Sequence, residues 1–227
     1  MRRRRIGRPQ QLQQMTNEHE WIRIMSDGKR VWNLYAPVYD LFMWQNRKAY
    51  AQMYEKIRAV IKGKRVLELC TGTGLIAKHV ASEAKEMIAS DFAEKMLRQA
   101  AKGNLPNNLS FRQVDATNIP FDDKSFDVVI ISNALHIIPD PQKALSEINR
   151  VLKSDGVLIA PNFLGHRAGK KERFLAKILS LAGVVFELTW DETTYPQFLE
   201  QNGWNVKTKE VFKASFPLMY TECEKRL

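Results

Sequence analysis

Apolar positions along this chain switch between two periods, and the switch points mark its elements. Between Asn46 and Ile61 the apolar residues Ala49, Met53, Ile57 and Val60 recur at three- and four-residue spacing, which predicts an amphipathic helix. Lys62-Gly63-Lys64 follows, a basic last turn and then the glycine that commonly closes a helix. Short β-forming runs then alternate with helical stretches and place strands near 65–69, 86–91, 109–114, 126–132 and 156–162. Val128 to Ile131 is continuously apolar, as a strand buried on both faces must be. Asp140-Pro141 starts a helix that runs through Leu145 and Ile148 to Leu152, with the aspartate as N-cap and the proline in the first turn. Asp155-Gly156 is the expected turn into the fifth strand. His166 to Leu181 reads as a basic amphipathic helix, Asp191 to Gln201 as a capped helix, and Trp204–Phe212 with Pro217–Cys223 as a closing hairpin. This alternation predicts an α/β fold with a mostly parallel sheet covered by helices on both faces.

The candidate chemistry sits at the first switch from strand to helix. Arg65 to Gly74 reads R-V-L-E-L-C-T-G-T-G, and a helical pattern resumes at Leu75. A strand, a small-residue turn and a helix start form a nucleotide-type site, because glycines let a ligand approach the backbone. Gly72-x-Gly74-x-x-Ala77 fits the dinucleotide fingerprint of NAD enzymes, a weak signal alone. Against it stand three acids: Glu68 inside the strand, Asp91 ending the run Met87-Ile88-Ala89, and Asp115 before Ala116 at the end of the third strand.

Five stretches fall in order over residues 64–162: V-L-E-L-C-T-G-T-G, A-S-D-F-A-E-K-M-L, V-D-A-T-N-I-P-F, F-D-V-V-I-I-S-N-A-L-H and R-V-L-K-S-D-G-V-L-I-A. Together they resemble the class I S-adenosylmethionine (SAM)-dependent methyltransferases, and within them the methyltransferase type 11 group that includes quinone-biosynthesis and phospholipid N-methylating enzymes. The resemblance implies a single Rossmann-like, doubly wound sheet of seven strands, mostly parallel with an antiparallel C-terminal hairpin strand. It also implies a helical N-terminal lid over residues 31–61 and a substrate-side insertion over 163–190, within one domain spanning 31–227. The cofactor is then SAM, leaving as S-adenosylhomocysteine (SAH), without a metal. Glu68 would orient the methionine amino end, and Cys70, Thr71, Gly72, Thr73 and Gly74 would lie along the methionine and ribose. Asp91 would take the ribose hydroxyls, Phe92 and Met96 an adenine face, and Asp115 with the Ala116 N–H the adenine edge. Asn133 would meet the methionine end. The family has glycine at the position of Cys70; a small side chain fits there provided that φ stays negative, and the thiol then reads as buried filler.

The same resemblance places acceptor chemistry at His136, a general base or a pocket wall, and at Tyr35 and Tyr39, lid tyrosines or core aromatics; Asp40 reads as a helix cap. Asn133-Ala134-Leu135-His136 lacks the N/D-P-P-Y/F run of methyltransferases acting on exocyclic amines. Two cysteines are too few for arsenite methylation, and no catechol-type metal cluster assembles. A small-molecule or lipid acceptor remains.

Composition narrows the setting more than the chemistry. In 227 residues, 44% hydrophobic and 10% aromatic, one ordinary domain fits. Two cysteines (Cys70, Cys223) and four scattered histidines (His19, His79, His136, His166) show neither disulfide framework nor metal spacing. No apolar run reaches 18 residues, and no signal-peptide pattern opens the chain, so a cytoplasmic protein is expected. The net charge of +10 is uneven: residues 1–30 hold eight basic groups, among them the Arg2–Arg5 block, against three acids. This segment reads as a flexible basic extension whose partner would be an anionic membrane surface, RNA, or none. An RNA-modifying methyltransferase, an NAD dehydrogenase and a SAM-binding protein without turnover therefore stay open beside the small-molecule enzyme.

Overall fold

The computed structural model describes residues 28–165 and 190–226. The Arg2–Arg5 block, the expected basic helix at 166–181 and most of the expected insertion at 163–190 lie outside the described residues. Residues 28–35 are helical and form α1. Then come α2 (Tyr39–Met43), a 3-10 turn (Trp44–Asn46), α3 (Arg47–Ile61) and β1 (Arg65–Leu69). After β1 the order is α4 (Ala77–Val80), β2 (Glu86–Asp91), α5 (Glu94–Ala100), β3 (Leu109–Gln113), β4 (Phe126–Ile131), α6 (Pro141–Val151) and β5 (Leu152–Ile159). The two-residue β6 (Asn162–Phe163), α7 (Thr194–Gln201), β7 (Trp204–Phe212) and β8 (Leu218–Lys225) complete it.

The sheet runs β3-β2-β1-β4-β5-β8, with β7 outside β8 and β6 pairing with β8 beyond the end of β5. β1 to β5 are mutually parallel, and β8 is antiparallel to β5, β6 and β7. The closing hairpin is thus present, but its second strand lies inside the sheet and its first forms the edge. Side chains alternate strictly between two apolar layers. Leu67, Leu69, Val129 and Ile131 join the layer under α6 and α7, with Leu145, Ile148, Tyr195 and Trp204. Val66, Val128 and Ile130 join the layer under α3 and α4, with Met53, Ile57 and Val80. Period-2 burial on both faces explains why β4 reads as an unbroken apolar run.

Two boundaries differ from the sequence reading for local reasons. The helix after β1 does not begin at Leu75; residues 72–76 are turns and α4 covers only Ala77–Val80. The turn at Asp155-Gly156 lies inside β5 as a bulge, since Phe126 pairs with Leu152 but Val128 with Val157. The Asp140 cap forms as expected, its Oδ1 accepting the Lys143 N–H at 2.9 Å with Pro141 in the first turn. Asp191 likewise receives the N–H groups of Thr193 and Thr194 at the start of α7.

The bulge leaves no room for a side chain at its tip. A Cβ on Gly156 would stand 2.7 Å from Leu152 Cδ2, 3.1 Å from the Lys153 carbonyl and 3.2 Å from the Asp127 carbonyl. Gly156→Ala is expected to destabilise the protein by about 1–3 kcal/mol through overpacking. The check is a lower urea midpoint at unchanged denaturant slope; an unchanged midpoint would show that the bulge opens freely.

Candidate active site

The loop leaving β1 is shaped by three left-handed residues: Cys70 at φ 55°, Gly72 at φ 58° and Gly74 at φ 79°. Cys70 therefore does not meet the negative-φ condition under which a small side chain sits there without strain. The turn at Cys70 brings the Thr71 N–H to the Ser90 carbonyl at 2.8 Å, locking the loop to the tip of β2. For a non-glycine residue this conformation costs roughly 1–2 kcal/mol, partly offset because Cys70 packs on the layer under α6. Burial, with Asp91, Asp115 and Glu68 nearby, pushes its thiol well above the usual range. Cys70 is then an unreactive filler at pH 7. Gly74 is needed on separate grounds, since a Cβ there would press to 3.2 Å from Ala100 Cβ of α5.

Asp91 holds the loop from the other side. Its Oδ2 accepts the Gly72 N–H and its Oδ1 the Ala93 N–H, both at 2.8 Å. Burial raises its pKa, opposed by the N–H groups of Ala93, Gly72 and Phe92. Each carboxylate oxygen keeps a second lone pair for a further donor. Asp115 is anchored similarly, its Oδ1 receiving the Thr117 N–H and hydroxyl at 2.8 Å, and Ala116 beside it is buried.

Two buried oxygens at the tips of β1 and β4 have no hydrogen-bond partner, Glu68 Oε2 and Asn133 Oδ1. Glu68 points into the α3/α4 layer, where desolvation lifts its carboxyl from about 4.5 to about 8, opposed by the Thr71 hydroxyl and the Ala77 N–H. Asn133 sits at φ 52°, with its N–H on the Pro161 carbonyl at 2.8 Å. Its Nδ2 donates to the Tyr50 hydroxyl at 2.9 Å. His136 is buried beside this tip, and its Nδ1 meets Asn162 Oδ1 at 2.9 Å. Because Asn162 Nδ2 donates to the Phe163 carbonyl, Oδ1 is the acceptor and His136 Nδ1 carries the proton. Burial lowers the His136 pKa, so the ring is neutral near pH 7 with Nε2 as its basic nitrogen.

The N-terminal lid covers the loop. Ala36, Ala93 and Met96 form a buried cluster with Trp32, Tyr35 and Tyr39 packed against it, so Met96 lies beneath the lid aromatics. Tyr39 faces Gly72, where a Cβ would stand 3.6 Å from its ring. Burial, reinforced by Asp91, Asp40 and Glu68, holds its phenol far above the ordinary value, hence protonated. Asp40 is not a helix cap: the residue before α2 is Val38, and Asp40 accepts a hydrogen bond from the Thr73 hydroxyl, latching lid to loop. Phe92 lies under the Lys29 ammonium at 5.2 Å. Tyr50 and the Asp40 latch are the participants that sequence reading missed. Tyr50 flanks the apolar stripe of α3 and carried a signal in that position, whereas the latch had none. Among the described residues no group of three or more His, Cys, Asp or Glu could hold a metal ion.

A cluster of carboxylates and unpartnered acceptor oxygens suits a cationic ligand with an ammonium group and a sugar diol, and SAM has both. Comparison with known proteins agrees. The family described as "Methyltransferase domain" matches residues 67–160. A demethylmenaquinone methyltransferase of Clavibacter sepedonicus is 39% identical over 108 residues, covering 46% of this chain and 43% of that one. One of Staphylococcus carnosus is 28% identical over 193 residues, 81% of this chain and 78% of that one. Several such alignments thus span only about half of the relative, as with 55% of the Renibacterium salmoninarum enzyme. The fold matches the solved DhpI–SAH complex with a TM-score of 0.69 at 22% identity, over 89% of this chain and 97% of that one. A SAM-dependent methyltransferase from Mesorhizobium loti matches with a TM-score of 0.61 at 17% identity, over 77% and 96% of the two chains. Residues 67–160 thus match the methyltransferase domain family, and the fold of the chain is that of solved SAM-dependent methyltransferases.

Glu68 gives this site a pH signature. With its folded pKa near 8 and an ordinary value near 4.5, the folded protein holds more protons than the unfolded chain between those limits. Its contribution to stability is full below about 4.5 and is lost as pH rises through about 8. Glu68→Gln, neutral at every pH, should flatten the fall in urea midpoint across that window. Parallel midpoint curves for the two proteins would show Glu68 to be ionised throughout.

Proposed function

We propose that the enzyme methylates a small, apolar, ring-bearing acceptor of quinol type. The observation that carries the cofactor half is the pair of orphaned oxygens on Glu68 and Asn133 beside the Asp91-pinned loop. Leaving two buried acceptors unpaired is costly, and a bound ammonium would satisfy them. Asp91 takes the ribose hydroxyls on its remaining lone pairs, and Asp115 with the Ala116 N–H reads the adenine edge. The backbone of Cys70–Gly74 lies along the methionine and ribose, with Phe92 near the adenine. When bound, SAM supplies an electrophilic methyl group on a positively charged sulfur, so the protein needs chiefly to align the reactants and exclude water.

The acceptor half rests on the lid and on His136. Tyr35 and Tyr39 present aromatic surface above the loop, suited to a flat apolar ring, with Tyr50 buried against Asn133. His136 Nε2 is the neutral base that removes a ring hydroxyl proton as the nucleophile attacks, and Asn162 holds the imidazole in that tautomer. Relatives named demethylmenaquinone methyltransferases support a quinol-type ring. RNA finds no comparable support in the described residues.

The test offers the full chain labelled SAM with a demethylated naphthoquinol, phosphatidylethanolamine or tRNA. Label is expected in the naphthoquinol; label confined to RNA, or found in none of the three, would contradict the proposal. His136→Gln should lower kcat by about 10²-fold or more at unchanged SAH affinity. An unaltered kcat would leave His136 a wall of the pocket.

A further inference from the structure

We propose that the outer face of the lid is a docking surface for an anionic lipid bilayer. The segment from residue 28 to Asn46 is helical or turned almost throughout, and apolar residues occupy both of its sides. Trp32, Tyr35, Ala36 and Tyr39 pack inward over the loop. On the other side Leu34, Val38, Leu41 and Trp44 are 74%, 42%, 77% and 62% exposed. They recur at spacings of four, three and three, a single stripe along a helical segment. Of the five large hydrophobic side chains exposed among the described residues, only Val211 lies elsewhere.

A surface helix ordinarily turns a polar face to water, and one that is apolar all round needs a second apolar medium. The charges beside the stripe indicate which medium. Residues 28–48 hold four basic groups, Lys29, Arg30, Arg47 and Lys48, and a single acid, Asp40. That acid is engaged with Thr73. Arg30 is exposed one turn before Leu34, and Lys48 is exposed just past Trp44. The Arg47 guanidinium lies 3.9 Å from the Trp44 ring centroid, and its Nη1 donates to the Trp44 carbonyl. Aliphatic tips, a tryptophan and flanking cations in this order match the demands of a bilayer boundary. Leucines enter the acyl region, the indole sits at headgroup level, and the basic groups meet phosphates. Binding of this kind does not depend on the acceptor. Its consequence, a site mouth brought close to membrane-dissolved substrate, rests on the apolar-acceptor reading above.

The test sediments the full chain with vesicles of phosphatidylcholine containing about one-third phosphatidylglycerol, and with pure phosphatidylcholine. Two variants run alongside: Leu41→Glu/Trp44→Glu and the uncharged Leu34→Gln/Leu41→Gln. The parent is expected to sediment with the anionic vesicles, and both variants to partition at least about tenfold less while titrating SAH as the parent does. A parent that stays in the supernatant would overturn the proposal. So would variants that sediment as well as the parent, which would move the contact to the Arg2–Arg5 region. Retained binding in the uncharged variant alone would reduce the effect to charge. A dimer that forms without vesicles and is lost in both variants would assign the stripe to a second copy of the chain.

Discussion

The site depends on one carboxylate that faces two ways. Asp91 ends β2 and accepts N–H groups from Gly72 on the loop before it and from Ala93 on the turn after it. These contacts, with Thr71 bound to the Ser90 carbonyl, convert a short run of small residues into a fixed cradle. Fixing it carries a cost, since Cys70 is held left-handed where glycine would sit without strain. Strain of this sort persists where the surroundings over-determine the backbone, and here β2 and the layer under α6 provide that support.

A second consequence is electrostatic. The chain as a whole is strongly basic at +10, yet its cradle concentrates Glu68, Asp91 and Asp115 around the loop. Burial raises the carboxyls of Glu68 and Asp91 and the thiol of Cys70, with neighbouring acids adding to the shift at Glu68 and Cys70. A cation relieves all of these at once. Under the proposed function, selectivity for a positively charged nucleoside over a neutral or anionic one would arise from desolvated acids rather than from any single contact.

Much of this was legible in residue order. Alternation in β1 and β4, the apolar stripe of α3 and the Asp140-Pro141 cap each report a local preference that the fold obeys. The acids at the end of β2 and just past β3 were legible as strand-tip acids beside a glycine loop. Three features were not legible, each set by distant contacts. The φ of Cys70 follows from a hydrogen bond to a neighbouring strand, and the β5 bulge from its pairing with β4. The latch between Asp40 and Thr73 joins residues 33 apart in the chain. Tyr50 lies between these cases, since its helix was evident but its partnership with Asn133 needed β4 beside it.

If one carboxylate both pins the loop and receives the ribose, changing its chemistry at constant shape must loosen the cofactor. Calorimetric titration of SAH into the parent and into Asp91→Asn measures this directly, because the amide keeps the size of the carboxylate but offers a single acceptor oxygen. The account predicts binding weaker by more than about tenfold, the loss expected when a charge-assisted hydrogen-bond pair is removed. Equal affinity in a folded variant would contradict it.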